Sequence, residues 1–245
     1  MPSSNPPLPI DSHCHLTDIS SLDECLGNCK KELRAVFTCG YSKETSLRGV
    51  KIAEENPGFV LAVGGESPQR IMDKVEVELG WLRELKGIAA IGEIGLDKHW
   101  GKSEAQLSNQ RKWFLAQLEL ATDLKLPVVI HSRDAESEVL DVLEANFSGR
   151  VLLHCFSGNS EESKRAGDLG YSATIPPGNS KARRKVIKAL DLDYLLLESD
   201  APYLGKTPLS ALDSAAMIAK EKGIPVEEAI RATTRNALRF YGIEG

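Results

Sequence analysis

Short apolar runs recur along the chain, each followed by a longer stretch with helical periodicity or helix-capping signals. The runs are Leu8–Asp11, Ala35–Cys39, Phe59–Val63, Ile88–Ile94, Pro127–Ile130, Val151–Leu153, Tyr171–Ile175 and Tyr194–Leu197. Between them the pattern predicts helices over Ser20–Arg34, from Gly40 to the Asn56-Pro57-Gly58 break, and over Asp73–Lys86. In the last of these Val75, Leu79 and Leu82 share one face and Gly87 sits where a C-terminal glycine cap is preferred. Ser103 and Gln106 make a capping box for a long helix reaching about Lys125. Further helices are expected over Asp134–Phe147, up to Gly170, over a basic Ser180–Leu190, and as a pair filling the chain to Gly242.

Eight strand–helix repeats without a linker, with near-continuous apolar strands such as Pro127-Val128-Val129-Ile130, fit a parallel sheet covered on both sides. The expected fold is α/β, a single (β/α)8 barrel over residues 1–245 with a flexible lead at 1–8. A doubly wound open sheet is the alternative.

The length of 245 residues suits such a barrel, and a hydrophobic fraction of 42% suffices for its core. A formal net charge of −5 argues against a strongly basic, nucleic-acid-coating surface but leaves room for a local basic groove. The Pro/Ser-rich stretch Met1–Pro9 lacks the charged start and apolar core of a signal peptide, and no apolar run approaches a membrane span. Five scattered cysteines, with Cys25 and Cys29 one helical turn apart but no second pair, read as thiols in a reducing cytoplasm.

Candidate chemistry gathers at the strand ends. In Asp11-Ser12-His13-Cys14-His15 the two imidazoles project together from an extended strand. Strand four runs to Glu93, strand five to His131, strand six to His154 and strand eight to Asp200. In a barrel these are the ends that form the active face. Four of the five histidines therefore fall at the same kind of place, which scattered core or surface histidines would not do. Six nitrogen and oxygen ligands without cysteine suit one or two divalent ions such as Zn, Mn or Mg. Glu93, between the His13/His15 strand and the strands of His131 and His154, is placed to bridge. Asp200 would complete the shell of the first ion and could take a proton from the attacking water, so Asp200 and Glu93 are the catalytic candidates. Glu198, two residues before Asp200, is either a group that orients a histidine ligand or a core salt bridge. His99 reads as a bystander.

These residues carry a resemblance to the TatD family of metal-dependent hydrolases, within the amidohydrolase superfamily. The matching pieces are Asp11-Ser12-His13-Cys14-His15-Leu16, Gly92-Glu93-Ile94-Gly95-Leu96-Asp97 and Leu126 through Arg133. They continue in order with His154-Cys155-Phe156-Ser157-Gly158, Glu198 through Leu204, and Thr233-Thr234-Arg235-Asn236-Ala237. The resemblance implies a two-metal site built from the six ligands above and hydrolysis of phosphodiesters, typically as a deoxyribonuclease.

Three departures lie outside the metal shell. Ser67 stands where the family carries His, Lys98-His99-Trp100 lacks the usual Arg, and Gly205-Lys206-Thr207-Pro208 is short. Lys98 could partly replace that Arg as a cation, although it cannot reproduce a bidentate phosphate contact. Ser67, Lys98 and Arg133 are thus the substrate-binding candidates, and the run Lys181, Arg183, Arg184, Lys185 and Lys188 is either a groove flank or a solvated face. The expected partner is DNA or a small phosphoester, with neither membrane nor obligate protein partner. A small-molecule amidohydrolase, lactonase or phosphoesterase on the same metals is the alternative, and a metal-binding scaffold without catalysis the third reading.

Overall fold

A computed structural model describes residues 7–243 except 75 and 77. Its strands are β1 (Ile10–Cys14), β2 (Ala35–Cys39), β3 (Val60–Gly64), β4 (Ile88–Asp97), β5 (Val128–Arg133), β6 (Val151–His154), β7 (Ser172–Ile175) and β8 (Leu195–Leu197). Helices intervene as α1 (Leu22–Glu32), α2 (Lys43–Glu55), α3 (Pro68–Ile71), α4 (Gly80–Glu84), α5 (Glu104–Leu124), α6 (Glu136–Asn146), α7 (Ser160–Asp168) and α8 (Lys181–Ala189). After β8 come α9 (Ala211–Lys222) and α10 (Val226–Tyr241). All neighbouring strands pair in parallel in the order β1 to β8, the (β/α)8 arrangement. The capping box of Ser103 and Gln106 forms at the start of α5. Among the described residues no helix is long and apolar enough to cross a membrane.

One predicted helix does not form as expected. Among the described residues of 73–86 only Gly80–Glu84 is helical, and Val75 and Val77 lie outside the described residues. The segment from Val75 to Leu79 alternates apolar and acidic residues with period two, which no helix can bury on one face. Its flanks are held by the long helix instead: Gln106 donates to Asp73 and Asn109 to the Met72 carbonyl. Only Leu82 of the proposed face is described as buried.

The strands divide their side chains between two cores. One set, including Phe37, Val63, Ala90, Val129, Leu152 and Leu196, fills the barrel interior and meets Phe240 and Tyr241 of α10. Tyr241 stacks on Phe37 at 3.6 Å between ring centroids and donates its hydroxyl to the Ser12 carbonyl. The alternate set, Val128, Ile130, Val151, Leu153, Leu195 and Leu197 among it, packs outward against the helices. Period-two alternation thus assigns each strand residue to the inside or the helix layer.

Strands β1 and β8 close the barrel by a few specific bonds at its C-terminal end. The His15 N–H donates to the Ala201 carbonyl (2.7 Å) and the Asp200 N–H to the His13 carbonyl (3.0 Å). Asp11 completes the seam, accepting from the Ser199 N–H (2.9 Å) and hydroxyl (2.6 Å). Burial pushes the Asp11 carboxyl well above its usual range, against the opposing pull of these same hydrogen bonds. Asp11 also accepts from the His13 N–H (3.3 Å), so Asp11→Ala would strand three buried donors, and the expected cost is about 3 kcal/mol of stability, read by urea denaturation. An unchanged midpoint would show that the seam contributes nothing.

Candidate metal centre

Two bulges aim the site. In β5 and β6 an inward core residue is followed two positions later by an inward histidine, Val129 by His131 and Leu152 by His154. In β8 the same step runs from Leu196 to Glu198. Strands β1 and β4 break this rule: Ile10 and Ala90 face the interior, yet the site residues follow three positions later, at His13 and Glu93. Pairing shifts by one residue between Asp11 and Cys14 of β1 and between Ile91 and Ile94 of β4. An extra residue at each bulge reverses the parity and turns side chains inward that a regular strand would send to the helix layer. Just past the second bulge the strand needs glycine, because a Cβ on Gly95, at φ +144°, would lie 2.0 Å from the His131 carbonyl oxygen.

At the barrel mouth the side chains converge in two buried groups that share His13: His13, His15 and Asp200, and His13, Glu93 and His154. His13 Nε2 lies 3.3 Å from His15 Nε2, 3.6 Å from Glu93 Oε2 and 3.8 Å from Asp200 Oδ1. His15 Nε2 is 3.3 Å from Asp200 Oδ1, and His154 Nε2 is 3.5 Å from Glu93 Oε2. The His13 and His154 rings stack at 3.8 Å. Asp200 adopts φ 47°, a left-handed conformation that Asp tolerates better than most residues.

The outer nitrogens of His15 and His154 are committed elsewhere, whereas His13 Nδ1 is buried with no hydrogen-bond partner among the described residues. His15 Nδ1–H donates to the Cys39 carbonyl at 2.9 Å, which leaves the Nε2 lone pair for the site. His154 Nδ1–H donates to Glu198 Oε2 at 3.2 Å, and the same oxygen accepts the Thr174 hydroxyl at 2.5 Å. Glu198, for which the sequence left two readings, therefore holds a site histidine in place. Burial together with the neighbouring imidazoles His154, His15 and His131 drives His13 well below the usual histidine range, so it stays neutral. Burial acts the same way on His154, but Glu198, Glu93 and Asp200 outweigh it and hold the ring at about 9. His15 is raised because Asp200 and Glu93 likewise offset its burial.

His131 stands apart from both groups. Its Nε2 lies 2.9 Å from Asp97 Oδ2, and the Gln69 amide nitrogen lies 2.7 Å from that oxygen and 3.0 Å from His131 Nε2. Burial would raise the Asp97 carboxyl, yet bonds from His131, the Trp100 N–H and Gln69 bring it below its usual range. His131 reaches the same cavity but is latched to Asp97. Gln69 carried no signal in the sequence, since nothing about a glutamine after Ser67-Pro68 marks it as reaching across to β5.

His15, Glu93, His154 and Asp200 line a cavity of about 750 Å³, with His13 buried behind them. Ser67 and Arg133 line it, and Arg133 makes no ion pair among the described residues. Lys98 requires a correction: its ammonium pairs with Glu138 at 2.7 Å, beside Arg111, and it is not a cavity residue. The turn after β4 carries Lys98 outward while its backbone N–H bonds the Arg133 carbonyl. His99 faces Asp134 at 3.7 Å, outside the cavity. Of the basic run only Arg183 lines the cavity; Lys188 pairs with Glu221 and Arg184 with Asn179. Arg70 and Tyr41, which the sequence did not single out, also line it.

Three imidazole nitrogens and two carboxylate oxygens aimed at a common space carry more lone pairs than protons, and a divalent cation suits that donor set. A parallel eight-stranded barrel with such a cluster at the C-terminal ends of its strands defines a metal-dependent barrel hydrolase. The chain belongs to the TatD family: residues 10–242 match the model described as TatD related DNase. It is 31% identical to the uncharacterized metal-dependent hydrolase YabD of Bacillus subtilis, over 96% of this chain and 99% of that protein. It is 34% identical to human deoxyribonuclease TATDN3, over 95% and 94%. Among solved structures, the TatD homologue YJJV of Escherichia coli superposes with a TM-score of 0.84 at 26% identity, over 96% and 98%. The protein is a metal-dependent hydrolase acting on ester bonds.

His154 holds its proton up to about 9, so a cation taken up at its Nε2 would displace that proton. Apparent metal affinity is therefore expected to rise roughly tenfold per pH unit between pH 6 and 8, with proton release visible by calorimetry in buffers of different ionisation enthalpy. Affinity independent of pH would show that the cation is not taken up at His154.

Proposed function

We propose that the protein is a two-metal phosphodiesterase that acts as a deoxyribonuclease. The observation that carries this reading is the pair of buried ligand groups joined through His13, with Glu93 between His13 and His154, beneath a cavity lined by Arg70, Arg133 and Arg183. His13, His15 and Asp200 would hold one ion, and Glu93 and His154 the other, with His131 as a further ligand once released from Asp97. Divalent ions there, of Zn, Mn or Mg type, supply Lewis-acid stabilisation of charge on the phosphoryl oxygens and acidify the attacking water.

The chain's own groups do the rest. Asp200 is tethered through its backbone N–H to the His13 carbonyl and accepts the proton of the attacking water. Glu93 Oε2, near both His13 and His154, holds the two halves of the centre in one register. Glu198 and the Cys39 carbonyl keep the Nε2 atoms of His154 and His15 pointed at the site. Arginines, with planar bidentate donors, neutralise phosphate in the cavity, and among the described residues no acidic side chain other than Glu93 and Asp200 lines it. That polarity supports a polyanion over a neutral amide or lactone. The relative TATDN3 is named a deoxyribonuclease, which agrees with this substrate. All five thiols are unpaired, as suits a reducing cytoplasm.

The test is hydrolysis of single-stranded DNA by metal-stripped protein with Mg, Mn or Zn restored singly. Cleavage should return with metal and fall at least roughly a hundredfold in Glu93→Ala and His13→Ala. Full activity in excess chelator, or turnover of small esters with no DNA cleavage under any metal, would overturn the proposal.

A further inference from the structure

Helix α8 runs against the electrostatics of its own backbone. A helix start carries partial positive charge, so acids are favoured in the first turn and cations are not. Every other described helix of eight or more residues has an Asp or Glu there. The first turn of α8 has none and holds Lys181 and Arg183 instead, and no acidic residue occurs anywhere in Lys181–Ala189.

The cations also crowd one another. Lys181, Arg184, Lys185 and Lys188 recur at helical spacings of three and four, so they share one face and repel. Val186 and Ile187 turn the other way, into the core. Lys181, Lys185 and Lys188 are exposed and Arg184 is half-buried. Relief from carboxylates is slight. Lys188 meets Glu221 at 3.2 Å and Arg184 donates to the Asn179 amide oxygen, but Lys181 and Lys185 make no ion pair among the described residues. On the adjacent α7 the cations are neutralised, Lys164 by Asp168 at 3.0 Å and Arg165 by Asp141 at 2.7 Å. A chain with five more acids than bases had carboxylates to place on α8 as well. Local rules broken without a local gain point to function.

Placement indicates which function. Ser180, Ala182 and Arg183 line the cavity, so α8 begins at the barrel mouth and runs from there down the flank. The face of Lys181, Arg184, Lys185 and Lys188 lies outside the cavity, which none of the four lines. It extends about 10 Å from Lys181 to Lys188, over which a nucleic-acid strand presents several phosphates. No exposed large hydrophobic among the described residues lies on α8, unlike the half-apolar helices that lie in membrane surfaces. The net negative charge of the chain disfavours a polyanion elsewhere on the surface.

Resting on the phosphodiesterase reading, we propose that α8 is an exosite for nucleic acid. Lys181, Arg184, Lys185 and Lys188 bind phosphates of the strand beyond the mouth, whatever its base sequence, so a long strand is held more tightly than a short one.

The test compares kcat/KM of the Mn-loaded enzyme on a thymidine dodecamer and on a thymidine dinucleotide as sodium chloride rises from about 50 to 200 mM. Wild type should favour the dodecamer at low salt and lose that preference as salt rises. In Lys181→Gln/Lys185→Gln the log–log salt slope on the dodecamer should flatten by about 0.7 for each cation removed, and the preference should shrink. Lys51→Gln/Lys86→Gln removes the same charge from exposed positions on the far side of the barrel and should keep the wild-type slope. An unchanged slope in the α8 variant, or an equal flattening in both, would overturn the inference. Because Gln relieves the repulsion within α8, the Tm of that variant should equal or exceed the wild-type value. A lower Tm would show that Lys181 and Lys185 serve the fold, and would overturn it too. Should wild type cleave neither substrate under any metal, the phosphodiesterase reading fails, and anisotropy of a labelled dodecamer decides the exosite alone by the same slopes. Binding of wild type to phosphatidylserine vesicles but not to the dodecamer would overturn the exosite in favour of a membrane surface.

Discussion

One extra residue in β1 and one in β4 decide where the chemistry sits. Strand side chains alternate strictly, so a regular β1 carrying Ile10 inward would send His13 and His15 into the helix layer, and a regular β4 would do the same to Glu93. The register shifts reverse that parity within a turn of the mouth. Apolar packing below and polar ligands above can then share the same strands. The cost is close backbone approach, met at Gly95 by having no Cβ to collide with the His131 carbonyl.

Gathering imidazoles and carboxylates in a dry space is costly unless each is told which way to point and how to be charged. Here the answers differ by residue. His13, crowded by other imidazoles, is kept neutral; His154, against Glu198, holds a proton that a cation taken up there would displace. The seam bonds of Asp11, Ser199, His13 and Ala201 place β1 against the end of β8, and so set His15 next to Asp200. Barrel closure and site assembly are one set of contacts. His131 shows the complement: its latch to Asp97 and Gln69 leaves the second half of the centre less fully formed than the first.

Much of this was legible in the chain. The eight apolar runs and their order read directly, because parallel strands buried on both faces must be apolar and barrel function collects at one end of each. His15, His154 and Asp200 could be picked out because a polar residue closing an apolar run is conspicuous. Less legible were features set by contacts across strands. The period-two stretch near Val75 was read as a helix from three apolar spacings, although Gln106 and Asn109 of α5 hold its flank. Lys98 looked like a phosphate cation until the turn carried it to Glu138, and Gln69 reaches His131 over a distance that no local pattern encodes. The exposure of Trp100 is likewise a property of the mouth, not of its neighbours in sequence.

The most direct test of this account is a crystal structure of the protein soaked in manganese, with anomalous scattering used to locate the ions. The account predicts two peaks flanking the Glu93 carboxylate, one among His13, His15 and Asp200 and the other against His154, with His131 turned away from Asp97. A single peak, or manganese bound away from Glu93, would contradict a two-metal centre.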